Sequence, residues 1–255
     1  MATIAAEPAL PGIRAIEAAG LKAWPAHEEV RDRAWVMRAS GGFSKRANSL
    51  ASLDPNDEAD VGARLAAAER WFTARALPMV VRLTPLAGPS LVAATGGWTD
   101  FEPSLVMIAD LSLAPPVEDE AITVSHPRDS EWLAAQQALQ NYDPRRQAAL
   151  GGIVARMAGP AFGLMLRDGD GRPLASAYIS CADRLAFLGT VVTAPSERRK
   201  GLAGRVVAMA MGLAAGAGAT HSVLTVLAAN AGAQGLYARH GYAPLYGYTH
   251  RRPLP

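Results

Sequence analysis

The 255 residues carry 25 Lys and Arg against 23 Asp and Glu, a formal charge of +2, and half of the chain is apolar. That is enough apolar material for one large core or two ordinary ones. The net charge is too small to argue for a nucleic-acid partner, although a pI near 8.8 leaves that reading open. The longest uncharged apolar run, residues 206–218, is thirteen residues rich in Ala and Gly, short of the roughly 18 to 20 that cross a bilayer, so no membrane partner is expected.

In chain order, the opening MATIAAEPALPGIRAIEAAG has no basic stretch ahead of an apolar one and carries Glu7 and two prolines. It does not read as a secretory leader, and a cytoplasmic location is expected. Breaker-rich stretches follow at LDPNDEAD, TPLAGPS and LAPPVEDE, and the last, near the middle, divides the chain into residues 1–118 and 119–255. In the first half the pattern predicts a helix over 61–75, a strand over 79–83, a short helix, and a strand in SLVMIAD. In the second half EWLAAQQALQ and RRQAALGGIVARM read as helices. Three strands follow, reversing at DGDGRP and CADR. Then come a helix over 202–215, a strand over 222–227, a helix over 231–240 and a last strand in PLYGYTH. The single cysteine, Cys181, has no disulfide partner and no Cys or His at ligand spacing; it reads as a buried strand residue, and no metal site is expected.

Aligning Gly97-Trp98 with Gly241-Tyr242 brings MVVRL near SVLTVL and SLVMIAD onto PLYGYTH. Two copies of one α/β unit account for this agreement. The expected fold class is α/β (α+β), with mixed sheets covered by helices.

The stretch VVTAPSERRKGLAGR concentrates the chemistry. Pro195 cannot donate to a sheet ladder, so the strand ends before it and a helix begins near Gly201. Between them stand Arg198, Arg199 and Lys200, followed by Gly201, Leu202, Ala203 and Gly204. The unpaired amides of a helix's first turn, with cations beside them, suit a diphosphate. A P-loop would need Ser or Thr after Gly-Lys, and a dinucleotide fingerprint would need a further glycine and an acidic ribose reader; both are missing. A solvated charged loop is the competing reading.

The loop resembles the acetyl-CoA loop of the Gcn5-related N-acetyltransferases, Q/R-x-x-G-x-G/A, standing here as Arg198, Gly201 and Ala203. The family's second signature is similar to NAGAQGLYARHGY, with Asn230, Ala233, Leu236-Tyr237 and Gly241-Tyr242. The resemblance covers residues 124–252. The first half looks like a degenerate copy, as in tandem members: residues 1–118 form a degenerate module and 119–255 the catalytic domain, each a mostly antiparallel twisted sheet with helices. The resemblance implies an acetyl-CoA-dependent N-acetyltransferase acting on a small-molecule or peptide amine, with no nucleic-acid partner. A non-catalytic coenzyme A-binding regulatory protein is the alternative.

By the same resemblance Val191, Val192 and Thr193 hold the pantetheine arm through their backbone, although plain strand core is an equal reading of the two valines. Arg198, Arg199, Lys200, Gly201, Leu202, Ala203 and Gly204 wrap the pyrophosphate. Asn230 caps the last helix and touches the pantetheine arm. Tyr237 is the general acid for the departing thiolate; seven residues on, it lies two turns along the same face, about 10 Å away. Packing on the sheet is its competing role, as a simple N-cap is for Asn230. Relatives often carry a glutamate on the strand before the loop, but RLAFLGTVVT has no carboxylate. Asp183, His221, His240 and His250 are the remaining titratable candidates, and a water relay or an amine arriving neutral is an equal alternative. In the first half, Asp54, Asp57, Glu58 and Asp60 stand where the phosphate loop would be and would repel a pyrophosphate. Leu86 and Ala93 replace Asn230 and Tyr237, so that copy is expected to be silent, with SKRANS either meeting an anionic substrate or forming a solvated strand end.

Overall fold

Eleven strands hydrogen-bond into one sheet in the computed structural model, which describes residues 10–112, 114 and 117–254. The residues on which the leader reading begins, 1–9, and Leu113, Pro115 and Pro116 of the expected boundary lie outside the described residues. The first half contributes α1 (Ile13–Ala23), β1 (Glu28–Asp32), β2 (Trp35–Ala39), β3 (Leu50–Ser52), α2 (Val61–Thr73), β4 (Val81–Leu83), α3 (Pro89–Ala94) and β5 (Thr99–Asp110). The second contributes β6 (Ile122–Ser125), α4 (Ser130–Gln140), α5 (Pro144–Val154), β7 (Ala161–Arg167), β8 (Pro173–Ala182), β9 (Leu185–Thr193), α6 (Leu202–Gly216), β10 (His221–Leu227), α7 (Ala231–Ala238) and β11 (Ala243–Arg252). The stretch SKRANS holds a short 3-10 turn, Lys45–Ala47, rather than a strand end.

The strand order is β1-β2-β3-β4-β11-β5-β10-β9-β8-β7-β6. The two halves exchange their last strands. β11 lies antiparallel between β4 and β5, and β5 lies antiparallel between β11 and β10, so neither half's sheet closes on its own strand. β8 and β9 turn on Asp183 and Arg184, both at positive φ, the geometry of a two-residue hairpin that follows the sheet's twist.

Helices cover both faces because each carries one apolar stripe. On one side α6 and α7 bury Val206, Val207, Ala210 and Tyr237 against Leu188, Leu224 and Val226. On the other, α4 and α5 bury Trp132, Leu150 and Ile153 around Tyr178, and α1 lays Ile16, Ala19 and Ala23 on Phe187, Val223 and Val106. Trp24, at the end of α1, stacks on Tyr178 with ring centroids 4.9 Å apart. The first half's helix therefore roofs the second half's strands. α2 and α3 cover β2 to β4 through Leu65, Phe72 and Leu91.

β11 carries His250, 3 % exposed, stacked on Phe101 at 5.5 Å and paired in register with Arg82. Neither ring nitrogen has a hydrogen-bond partner. Burial, with Arg82 adding to it, pushes its pKa down from 6.5 to about 3. The folded protein thus binds this proton less readily than the unfolded chain. The contribution is whole above the unfolded value and is lost as pH falls from about 6.5 toward 3, at up to about 1.4 kcal/mol per unit. Thermal melts between pH 7.5 and 4.5 are expected to show His250→Phe losing Tm with acidification less steeply than wild type; parallel curves would exclude this source.

Candidate active site

β9 runs beside β8 to its end but beside β10 for only three rungs, His221 with Leu185, Ser222 with Ala186 and Val223 with Phe187. Beyond that point residues 188–193 and 224–227 pair only with their outer neighbours, β8 and β5. The inner backbone groups of the two strands face a gap and need partners. A bulge opens it. Between the pairs Tyr178–Gly189 and Ser176–Val192, Thr190 and Val191 together oppose Ala177, and an extra residue bends the strand that carries it. Thr190 sits at φ 49, a costly conformation for a β-branched residue. Gln136 of α4 donates to the Thr190 carbonyl at 3.3 Å and to Ser176 Oγ at 3.0 Å, holding the bulge from behind.

At the open end of the gap the chain passes Pro195 and enters α6. Gly201 caps that helix in the left-handed region at φ 81, where a side chain is strained. A Cβ there would meet no atom within 4 Å, so it would project into open space. The first helical hydrogen bond is Arg205 N–H to Gly201 O, 3.2 Å; the amides of Leu202, Ala203 and Gly204 precede it and remain available to a ligand. Asn230 caps α7, its Oδ1 accepting from Ala233 N at 3.0 Å. Tyr237 packs edge-on to Tyr242 with centroids 5.8 Å apart, and Tyr242 is fixed by a 2.6 Å hydrogen bond with Ser222.

These elements enclose a cleft of about 490 Å³ lined by Val191, Val192, Thr193, Arg198, Arg199, Gly201, Leu202, Ala203, Gly204 and Tyr237. Ten of the twelve residues singled out in the sequence thus meet around one volume, within the size range of ligand pockets. Two do not line it. Lys200 turns to Glu197, Nζ to Oε2 2.9 Å, and Asn230 is spent on its cap. Gln140, at the end of α4, and Arg239 also line the cleft. Arg239 follows the Leu-Tyr pair closely enough to have been found as a neighbouring cation; nothing in the sequence marks Gln140. Tyr237 is only 9 % exposed, and burial pushes its phenol up to about 12, so it stays protonated through the neutral range.

None of the four candidate bases lines the cleft. Asp183 pairs with Lys22 at 2.7 Å at the far end of β9. His221 lies near that end too, as the first residue of β10. His250 faces Arg82, and His240 packs behind α6, where a Cβ on Gly204 would lie 3.2 Å from its Nε2. Glu197 reaches the rim, its carboxyl held below the usual range chiefly by Lys200.

The first half repeats the scaffold without the cleft. Asp60 caps α2 in the left-handed region at φ 56, as Gly201 caps α6. Arg64 and Arg205, each four residues on, are both ion-paired, to Asp57 and Asp32 and to Asp119. But Asp57 accepts from Ala34 N, and Glu58 reaches across to accept from Ser90 N at 2.8 Å. A Cβ on Gly88 would overlap Glu58 Oε1. Asp54, Asp57 and Glu58, three of the carboxylates that replace the cationic loop, accept from this half's own backbone.

A family model described as "Probable histone acetyltransferase Rv0428c C-terminal" matches residues 11–251. The "Uncharacterized N-acetyltransferase YobR" of Bacillus subtilis (strain 168) is 25% identical over 246 residues, 94% of this chain and 98% of that protein. Among solved structures, a GCN5-related N-acetyltransferase from Kribbella flavida superposes with a TM-score of 0.72 at 23% identity, over 96% of this chain and 97% of that one. A tandem GNAT protein from the clavulanic acid biosynthesis pathway superposes at 0.63 and 12% identity, over 80% and 74%.

Proposed function

Because the chain belongs to the family of the Rv0428c C-terminal acetyltransferase region, within the Gcn5-related N-acetyltransferases, we propose that it moves an acetyl group from acetyl-CoA to a primary amine in one active site, the cleft beside β9. The observation that carries this reading is the meeting of three parts around that cleft: the unpaired edge of β9, the free first-turn amides of α6, and the Tyr237 phenol.

The residues fit coenzyme A at each end. Arg198 and Arg199 add positive charge where the α6 amides of Leu202, Ala203 and Gly204 donate, and the missing side chain at Gly201 lets a diphosphate approach the backbone. Residues 191–193 offer unpaired strand groups to the amide-bearing pantetheine arm, which would extend the sheet edge as an added strand does. Acetyl-CoA, when bound there, supplies a thioester carbonyl that an amine attacks, forming the C–N bond and breaking C–S. The backbone donors of β9 that face the gap stabilise the oxyanion. Tyr237 holds a proton for the thiolate. Burial that raises the phenol to about 12 disfavours a thiolate in the same cleft as well, so the departing sulfur is a stronger base there than in water. With no base in position, the amine enters neutral or gives its proton to water. Asn230 orders the start of α7 rather than the cofactor, and Lys200 acts through Glu197. The first half, with Glu58 sealing α3, binds no coenzyme.

The reading is tested by calorimetric titration with coenzyme A and by thiol release from acetyl-CoA over an amine library. Gly201→Val is expected to weaken coenzyme A binding about 10- to 100-fold, because the new side chain occupies the diphosphate approach. Its stability should fall by only about 1–2 kcal/mol from the left-handed strain. Unchanged affinity would remove the α6 turn from the site. Binding with no thiol released from any amine would favour the regulatory alternative.

A further inference from the structure

On the opposite face of the sheet from Tyr237, a narrow cavity of about 40 Å³ lies between the halves. The second half gives it Phe187 and Val223, the last rung before β9 and β10 part, and Thr225 just beyond. The first half gives it Glu17 and three arginines, Arg38, Arg46 and Arg82. The cavity therefore reaches the closed end of the gap whose open end is the cofactor cleft.

Three guanidiniums line it, and among the described residues only that of Arg46 has no carboxylate partner. Arg82 is ion-paired to Glu17, Nη1 to Oε2 and Nη2 to Oε1 at 3.0 Å, with its Nε left buried and unbonded, and Glu17 also accepts from the Tyr246 hydroxyl at 2.6 Å. Arg38, 2 % exposed, spends its Nη atoms on neutral carbonyls, those of Arg46 at 2.8 Å, Leu21 at 3.1 Å and Trp24. Its Nε makes no hydrogen bond but is ion-paired with Glu29 Oε2 at 3.4 Å. Arg46, half-buried, makes no ion pair among the described residues; its guanidinium lies beside the Tyr178 hydroxyl and 5.6 Å from the centre of the Trp24 ring. Burial pushes the Tyr178 phenol up, and the Arg46 guanidinium beside it draws it partly back. Burial, and repulsion from Arg46 and Arg82, depress the Arg38 pKa to about 10. Like charges gathered out of water are costly unless an anion joins them.

We propose that this cavity is the acceptor subsite and that the acceptor is a primary amine bearing a carboxylate, which the Arg46 guanidinium binds while the amine points into the gap toward the thioester. The proposal rests on the transferase reading above. A water needs about 10–15 Å³ on this measure, so the cavity has room for about three such groups, the size of a carboxylate, and a planar fork suits guanidinium. The cationic turn of the silent half thereby reads the substrate for the active one.

The test compares wild type, Arg46→Gln and Arg46→Lys in thiol release, using ω- and α-amino acids of graded length, each beside its carboxamide. Arg46 tolerates replacement because its structural bond to Arg38 is made by its backbone carbonyl. In wild type the best carboxylate is expected to exceed its carboxamide at least 10-fold in kcat/KM. Arg46→Gln should raise KM for the carboxylate about 10- to 100-fold, leave kcat within about 3-fold and leave the carboxamide unchanged, with Arg46→Lys between. Equal use of both members by wild type, or an equal loss of both in Arg46→Gln, overturns the proposal. Turnover confined to neutral or cationic amines overturns it while leaving the transferase reading standing. Calorimetry of coenzyme A-loaded protein with the matching N-acetyl amino acids and N-acetyl amides gives a readout independent of turnover, and no preference for the acids there also overturns it. Failure of the transferase reading itself would appear separately, as absent coenzyme A binding.

Discussion

A chain restricted to residues 119–255 is expected to be insoluble or to lack a cooperative unfolding transition, and to release no thiol from acetyl-CoA. It keeps the whole cleft lining, yet it loses β5, which pairs with β10 over seven residues, His221 to Leu227, and with β11 along nearly its full length. It also loses α1, so that Tyr178, Phe187 and Val223 face water where Trp24, Ile16 and Ala19 now cover them. Burial of one large apolar side chain stabilises by about 1.5–3 kcal/mol, so three such losses are of the same order as the roughly 5–15 kcal/mol net stability of ordinary domains. Co-expression with residues 1–118 is expected to restore a soluble complex. The measurement is size-exclusion and thermal melting of the fragment alone and of the pair. A monomeric fragment that melts cooperatively with native activity would mean that β11 can take the place of β5 beside β10, and that the exchange is dispensable.

Tyr237→Phe is expected to lower turnover about 10- to 1000-fold and to leave coenzyme A affinity nearly unchanged. The substitution keeps the ring that packs edge-on to Tyr242 and removes only the hydroxyl, which makes no hydrogen bond among the described residues. The rate of wild type should show no limb from Tyr237 below about pH 10, because its phenol titrates near 12. Steady-state thiol release with parallel calorimetry separates the two quantities. Equal rates would take Tyr237 out of the chemistry and leave it a packing residue.

Much of the second half could be read directly. Pro195 stops β9, Gly201 starts α6, and the hairpin residues Asp183 and Arg184 turn where CADR suggested. These are local rules, in which a residue's own backbone preference decides its geometry. Four first-half elements, α1 and β1 to β3, and one second-half strand, β6, escaped notice. The Trp35–Ala39 strand is buried on both faces, so it shows no alternation. The strand exchange leaves no trace in sequence, since β5 and β11 carry the same pattern whichever neighbour they meet. The bulge at Thr190 was hidden for a similar reason: Gln136, 54 positions earlier, enforces it. Lys200 looked equivalent to Arg198 and Arg199 until Glu197 was found beside it. The cavity around Arg46 needed three dimensions altogether, because its charges come from four separate elements.

The interleaving of β4, β11, β5 and β10 also dictates when the enzyme can exist. The centre of the sheet is completed by residues 243–252, inserted between two strands made more than a hundred positions earlier. During synthesis, β5 must therefore wait with both edges bare until β10 and β11 emerge, which prolongs exposure to mispairing and slows closure. Neither the cleft beside β9 nor the arginine-lined cavity can assemble ahead of the other, so a half-made chain holds neither.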